Sequence, residues 1–246
     1  MSCPQDTSVG ERWWIGQTAR ELRHRTGYNA FGAGVHGIVH APANTETIKV
    51  GFRDDTDNWI EDLSYYSNTF GPGGVSWVGE VGICVDKPGM HGEARAFDLT
   101  AIRFSNGDVF DSNVSWQAGT EGKRLYVAVA AQCRRHFGVV LTAWYNSDHQ
   151  NHIHFDNSAE PVVIRESSRA DTCIVQAAGV FLNGESIAID GNWGPATQDA
   201  YLRLITDFNM KCFDPKTNST HAKKFLAMIA QHGFANRAAG YYQDNC

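Results

Sequence analysis

The sequence predicts an α+β fold, and three observations carry that expectation. Several stretches alternate apolar and polar residues as strands do, several others repeat apolar residues at helical spacing, and the two kinds are separated by glycine-rich turns. Strands and helices mixed without a regular βαβ alternation point to hairpins with packed helices, an α+β arrangement.

Residues 11–26 read as a helix, with Trp14, Ala19 and Leu22 and the basic residues Arg20, Arg23 and Arg25 at helical spacings before Gly27. Residues 27–47 are rich in glycine and alanine and lack a period. Residues 48–52 look like a strand leading into the polar turn Arg53-Asp-Asp-Thr-Asp-Asn58, and Phe70-Gly-Pro-Gly-Gly74 is a loop. Strands follow at 75–85 and 94–104, and Asn106-Gly107 turns the second into a hairpin with 109–110. Residues 125–137 form a helix closed by Gly138, and a strand at 139–144 runs into a cluster of histidines. A change of composition at 158–171 resembles a linker. Beyond it, helices at 173–182, 195–205 and 222–231 form a small bundle, with Pro195 at the favoured first helical position. The chain therefore divides into residues 1–165 and residues 170–246, and no internal repeat is visible.

Composition narrows the function. With 42% hydrophobic and 11% aromatic residues among 246, a sizeable core is expected. A net charge of −6 without a basic stripe argues against nucleic acid as a partner. No apolar run reaches the roughly eighteen residues of a membrane helix. Met1-Ser-Cys-Pro-Gln-Asp lacks the charged and apolar regions of a signal peptide. The six cysteines, Cys3, Cys84, Cys133, Cys173, Cys212 and Cys246, form no Cys-x-x-Cys pair. Their wide spacing suits disulfides and an extracytoplasmic or secreted protein, through a leader outside this sequence or another route of release. Fifteen pairings are open.

Two segments carry chemistry: His91-Gly-Glu-Ala-Arg-Ala-Phe-Asp98 and His149-Gln-Asn-His-Ile-His-Phe-Asp156. Zinc takes imidazole, thiolate or carboxylate ligands, and a catalytic site keeps one position for water. A histidine and an aspartate, followed by a dense histidine cluster, supply three ligands of suitable type. On a strand His152 and His154 would share one face, so spacing alone does not choose between them. Asp148 and Asp156 read as turn or surface residues. His36 and His40 sit four apart, but Gly34 and Gly37 weaken a helix that would pair them on one metal.

These residues resemble a known group. The His-x(6)-Asp and His-x-His pattern looks like the LAS-type zinc peptidases. Closer is the extensin-like C-terminal domain family, to which Met90–Phe104 with Asn106, Gly107 and Trp116, then Cys133-Arg-Arg-His-Phe-Gly138 through Tyr145, Asn146 and His149–Asp156, are similar. The resemblance covers about residues 75–157. It implies a LAS-like domain with a small antiparallel sheet and flanking helices. It implies zinc on His91, Asp98 and His154, with His152 and His149 as catalytic histidines and Cys84 paired with Cys133. Many LAS peptidases carry a carboxylate base three residues before the last ligand; here that residue is Asn151. Arg53 and Tyr145 are candidate substrate contacts. Cys173 is expected to pair with Cys212 or Cys246.

Residues 170–232, with Ile189-Asp-Gly-Asn-Trp-Gly-Pro-Ala-Thr197, resemble the three-helix peptidoglycan-binding domain, and Trp193 is a candidate ligand platform. The expectation is a monomeric zinc peptidase acting on peptidoglycan stem peptides or crosslinks and held on the wall by its C-terminal helices. The alternatives are a non-catalytic zinc-containing wall-binding protein, which Asn151 favours, and a zinc amidase of phage-endolysin type.

Overall fold

The computed structural model describes residues 48–235 in full. Before them it describes the backbone of five strands, β1 (Ser8–Gly10), β2 (Arg12–Ile15), β3 (Thr18–Arg25), β4 (His40–Pro42) and β5 (Thr45–Thr47). Then follow helix α1 (Val50–Phe70), strands β6 (Val75–Glu80), β7 (Ala96–Phe104) and β8 (Val109–Asp111), the short helix α2 (Ser112–Ser115), helix α3 (Thr120–His136), and strands β9 (Val139–Leu141) and β10 (Ile153–Asp156). Helices α4 (Arg169–Asn183), α5 (Pro195–Asp207) and α6 (Ser219–Phe234) complete the mixed α and β architecture.

The main sheet has the order β2-β3-β6-β7-β10-β9, with β4 beside β3 and β8 beside β7. Its neighbours run antiparallel except β3 and β6. The β7–β8 hairpin turns at Asn106-Gly107, where Gly107 takes φ +100°, a conformation that costs glycine nothing. At the centre of the sheet, β10 pairs with β7 so that His154 stands opposite Asp98 and Phe155 opposite Phe97. Because strand side chains alternate between faces, this register puts the two phenylalanines on one face and the two polar residues on the other.

The aromatic face is the core. Phe97 and Phe155 stack at 5.0 Å, Phe137 lies 4.3 Å from Phe155, and Trp59 lies 4.9 Å from it. Each buried ring is worth roughly 1.5–3 kcal/mol. Trp59 and Phe52 come from α1, which corrects two expectations. Residues 48–52 are not a strand, and Arg53–Asn58 is not a turn. The buried stripe Phe52, Thr56, Trp59, Ile60, Leu63, Ser64 and Ser67 has helical period, but three of its members are small and polar. Thr56 and Ser67 meet that need locally, each donating its hydroxyl to a carbonyl of the preceding turn.

The helix expected at 11–26 is also corrected, since β2 and β3 occupy that stretch. Sheet pairing with β6 outweighs a sparse helical spacing, and Arg12-Trp-Trp-Ile15 has the aromatic and β-branched character of a strand.

The C-terminal helices match the expected set. α5 begins on Pro195, Asn218 caps α6 by accepting from the His221 amide, and α4 ends on Gly184 at φ +71°. The turn Asp190-Gly191 is held by Gln176, whose amide oxygen accepts from both backbone N–H groups and whose nitrogen donates to Asp190 Oδ1 and Thr197 Oγ1. α6 lies close on α3: a Cβ at Gly233 would fall 2.7 Å from the Arg124 carbonyl oxygen. Arg134 of α3, fully buried, donates to Asp171 of α4 at 2.6 and 3.2 Å and to the carbonyls of Phe137 and Val163. Asp171→Ala should therefore cost about 3–5 kcal/mol, because it strands a buried guanidinium; the midpoint of urea unfolding measures it.

The expected disulfides are corrected as well. Cys133 and Cys173 are buried free thiols, whereas Cys84 and Cys212 are disulfide-bonded to other residues. Cys133 sits on α3 inside the core, packed beside Trp59, and not on a surface facing Cys84. Among the described residues no helix is long and apolar enough to cross a membrane.

Candidate metal centre

On the polar face of the β7–β10 pair, Asp98 and His154 meet His91, which the turn before β7 delivers. The three ligand atoms approach one another closely. His91 Nε2 is 3.0 Å from Asp98 Oδ1 and 3.1 Å from His154 Nδ1, and His154 Nδ1 is 2.9 Å from the same Asp98 oxygen. His91 is 3% exposed and Asp98 8%. Three electron-pair donors this close repel one another unless a positive centre, a proton or a metal ion, is shared among them.

The outer ring nitrogens show which atoms are presented. His91 Nδ1 donates to the Ile83 carbonyl at 3.0 Å, leaving Nε2 as the lone-pair nitrogen toward the cluster. His154 Nε2 donates to Asp156 Oδ2 at 3.0 Å, leaving Nδ1 inward. Anchoring the far nitrogen on a carbonyl or a carboxylate is how metal-binding histidines are held. Asp156 is therefore no surface residue. It is buried, shares the face of His154 two positions away, and is itself fixed by the Ser158 backbone N–H at 2.8 Å. The spacing His154-x-Asp156 on a strand was the signal that could have found it.

His152 stands just outside the trio, its Nε2 3.5 Å from Asp98 Oδ1. Asn151 Oδ1 holds its Nδ1 at 2.6 Å. His149 lies on the short 3-10 turn Ser147–His149, with ring centroids 5.1 Å from His152 and 6.0 Å from His154, and Asn146 Oδ1 holds its Nδ1 at 2.5 Å. The structure thus gathers five predicted residues, His91, Asp98, His149, His152 and His154. Tyr145 packs edge-on against His149 at 5.7 Å, on the rim. Arg53 is half-buried, beside Asp54 at 3.2 Å, in the first turn of α1. Trp193 lies in the loop before α5, partly buried against Tyr201, with the Lys216 ammonium near both rings and away from the histidine cluster's own elements.

The electrostatics separate these groups. Burial alone would raise Asp98, but its contacts with the His154 and His91 rings hold its carboxyl well below the usual carboxylate range. Burial opposes charge on His154 too, yet Asp156 and Asp98 outweigh it and push the ring up to about 9. Burial drives His149 down to about 4, with repulsion from the His152 and His154 rings adding to it, and burial likewise lowers His152.

A pH dependence follows for metal uptake. Without metal His154 holds its proton up to about pH 9, so a metal taking Nδ1 must displace it. Affinity should rise roughly tenfold per pH unit from about pH 6.5 toward 9, with about one proton released per metal. Titration calorimetry in buffers of different ionisation enthalpy reads that proton. The sign for the metal-free fold is consistent: a histidine raised above its unfolded value stabilises below about 6.5 and loses that contribution as pH climbs to about 9.

Comparison with known proteins adds one finding. No curated protein and no solved structure matches the chain. Residues 85–173, a span that contains His91, Asp98, His149, His152 and His154, match the family described as extensin-like protein C-terminus.

Proposed function

We propose that this protein is a zinc-dependent peptidase acting on peptidoglycan stem peptides or crosslinks. The observation that carries the proposal is the trio His91, Asp98 and His154 within 4.8 Å, with one ring nitrogen of each histidine turned inward because the outer nitrogen is anchored. Two imidazole nitrogens and one carboxylate oxygen are a donor set that zinc accepts, with room for a further ligand. Zinc held there would act as a Lewis acid on a carbonyl and make water acidic near neutral pH.

The chain's own residues supply the rest. Asp98 and His154, on paired strands, keep the ligand atoms rigidly spaced. His152, neutral by burial, is placed to take a proton beside Asp98 and return it to a leaving amine. His149 and Tyr145 form the rim that a peptide would cross.

Peptidoglycan as substrate class rests on the resemblance of residues 75–157 to LAS-type and extensin-like domains and of residues 170–232 to three-helix peptidoglycan-binding domains. Disulfide bonds at Cys84 and Cys212 support an extracytoplasmic setting. Asn151 supports the second reading, a wall-binding protein that keeps zinc without catalysis, because an amide is no base at neutral pH. Incubating the protein with whole peptidoglycan, with and without chelator, and identifying released fragments by mass spectrometry decides between them. Fragments with new amino termini that vanish with chelator support the peptidase. Release of intact stem peptides from the glycan would instead mean an amidase, and no release from a zinc-loaded protein would leave the binding reading.

A further inference from the structure

We propose that Asn146 and Asn151 are positioning residues that lock His149 and His152 as Nδ1–H tautomers, so that each ring keeps Nε2 as its free electron-pair donor. The part played in proton transfer rests on the peptidase reading; the tautomers do not.

A neutral imidazole has one N–H and one lone pair, and its partner decides which nitrogen carries which. Asn146 Oδ1 accepts from the Asp148 backbone N–H at 3.1 Å, capping the turn Ser147–His149. That backbone donor fixes which end of the Asn146 amide is oxygen. The same oxygen lies 2.5 Å from His149 Nδ1, and an oxygen that can only accept requires a proton there. Asn151 makes the same contact to the next histidine, with Oδ1 2.6 Å from His152 Nδ1. Asn151 is 5% exposed, and its backbone carbonyl is tied by Ser112 Oγ at 2.8 Å, the hydroxyl that also reaches the Thr100 carbonyl on β7. Ser112 therefore places the Asn151 backbone beside the strand that carries Asp98, its one hydroxyl proton serving the two carbonyls in turn. His152 Nε2 stands 3.5 Å from Asp98 Oδ1, longer than an N–H···O hydrogen bond, so that contact does not demand a proton there.

The four histidines then fall into two classes by partner. The outer nitrogens of His91 and His154 rest on a carbonyl and on a buried carboxylate, and both rings face the trio. His149 and His152 rest on asparagine amides, which orient a ring without adding the negative charge that would favour its protonated form. An asparagine at position 151 is thus a partner for a neutral histidine base. The opposite tautomer, with the proton on Nε2, is the one an unrestrained imidazole favours in water, so the lock is measurable.

The test is long-range proton–nitrogen NMR of the full chain labelled in its histidine rings, zinc-free and zinc-loaded, at mildly alkaline pH. His149 and His152 signals are assigned from the His149→Ala and His152→Ala proteins. Expected are a protonated Nδ1 and a bare Nε2 in both rings. Asn146→Ala and Asn151→Ala should each move their own histidine toward the Nε2–H form and leave the other ring unchanged. Both should keep one zinc per chain, and Asn151→Ala should lower peptidoglycan turnover roughly ten- to hundredfold, as loss of an outer-shell partner does. An Nε2–H ring in the wild-type protein, or an alanine variant whose own histidine does not shift, overturns the proposal. If Asn151→Ala does not fold, Asn151→Asp decides, since it retains an oxygen acceptor and must keep His152 protonated on Nδ1. A wild type with both tautomers in place and no turnover upholds the lock and sinks the peptidase reading.

Discussion

Replacing His91 with alanine should strip the protein of zinc, lowering affinity by more than about a hundredfold. That figure is a floor: losing an outer-shell partner already costs about 10–100-fold, and His91 offers a ligand atom directly. His91 Nε2 lies 3.0 Å from Asp98 Oδ1 and 3.1 Å from His154 Nδ1, so its removal leaves two donors where zinc needs three from protein. Asp98→Ala and His154→Ala should match it. Asp156→Ala should fall in the range of about 10–100-fold, because it frees the far nitrogen of His154 without removing a ligand. His149→Ala should retain about one zinc per chain. Metal analysis after dialysis against a weak chelator measures the series, and full occupancy in His91→Ala would sink the ligand assignment.

His152→Ala should reduce peptidoglycan hydrolysis about a hundred- to ten-thousandfold while zinc remains bound, the usual range for a lost general acid–base group. The ring stands just outside the trio, 3.5 Å from Asp98 Oδ1, and burial favours its neutral form, which can accept a proton. Asn151→Asp should preserve the rate or raise it, because a carboxylate still accepts from Nδ1 and makes the ring more basic. A His152→Ala protein that cuts as fast as wild type would refute the mechanism, whatever the class of the enzyme.

Much of the candidate site is legible in the amino-acid sequence, and the reasons are local. His91 and Asp98, and the run His149 to His154, are residue types with few structural substitutes at close spacing. The β7–β8 hairpin is announced by Asn106-Gly107, and α4, α5 and α6 by clean helical periodicity, a proline at a helix start and a glycine after a helix end. Sequence patterns mislead where polar residues serve as core. Thr56, Ser64 and Ser67 line the buried face of α1 and satisfy their hydroxyls within the fold, which hides a 21-residue helix behind Arg53–Asn58. At 12–25 a weak helical spacing gives way to sheet hydrogen bonds that only a partner strand can supply.

The sequence by itself determined the inventory: an α+β chain, the His and Asp residues of a candidate metal site, and helices at its C-terminal end. Residue type and short-range period suffice for these, since each depends on neighbours a few positions away. Tertiary structure decided the roles. The β7–β10 register put His154 opposite Asp98, the same face made Asp156 a buried anchor, and Asn151 became the partner of His152 instead of a missing base. It also denied Cys133 to Cys84 by turning that thiol into the core. Such outcomes depend on which distant segments meet, and a pairing distance of a few ångströms between residues more than fifty positions apart is written in the packing of the whole chain.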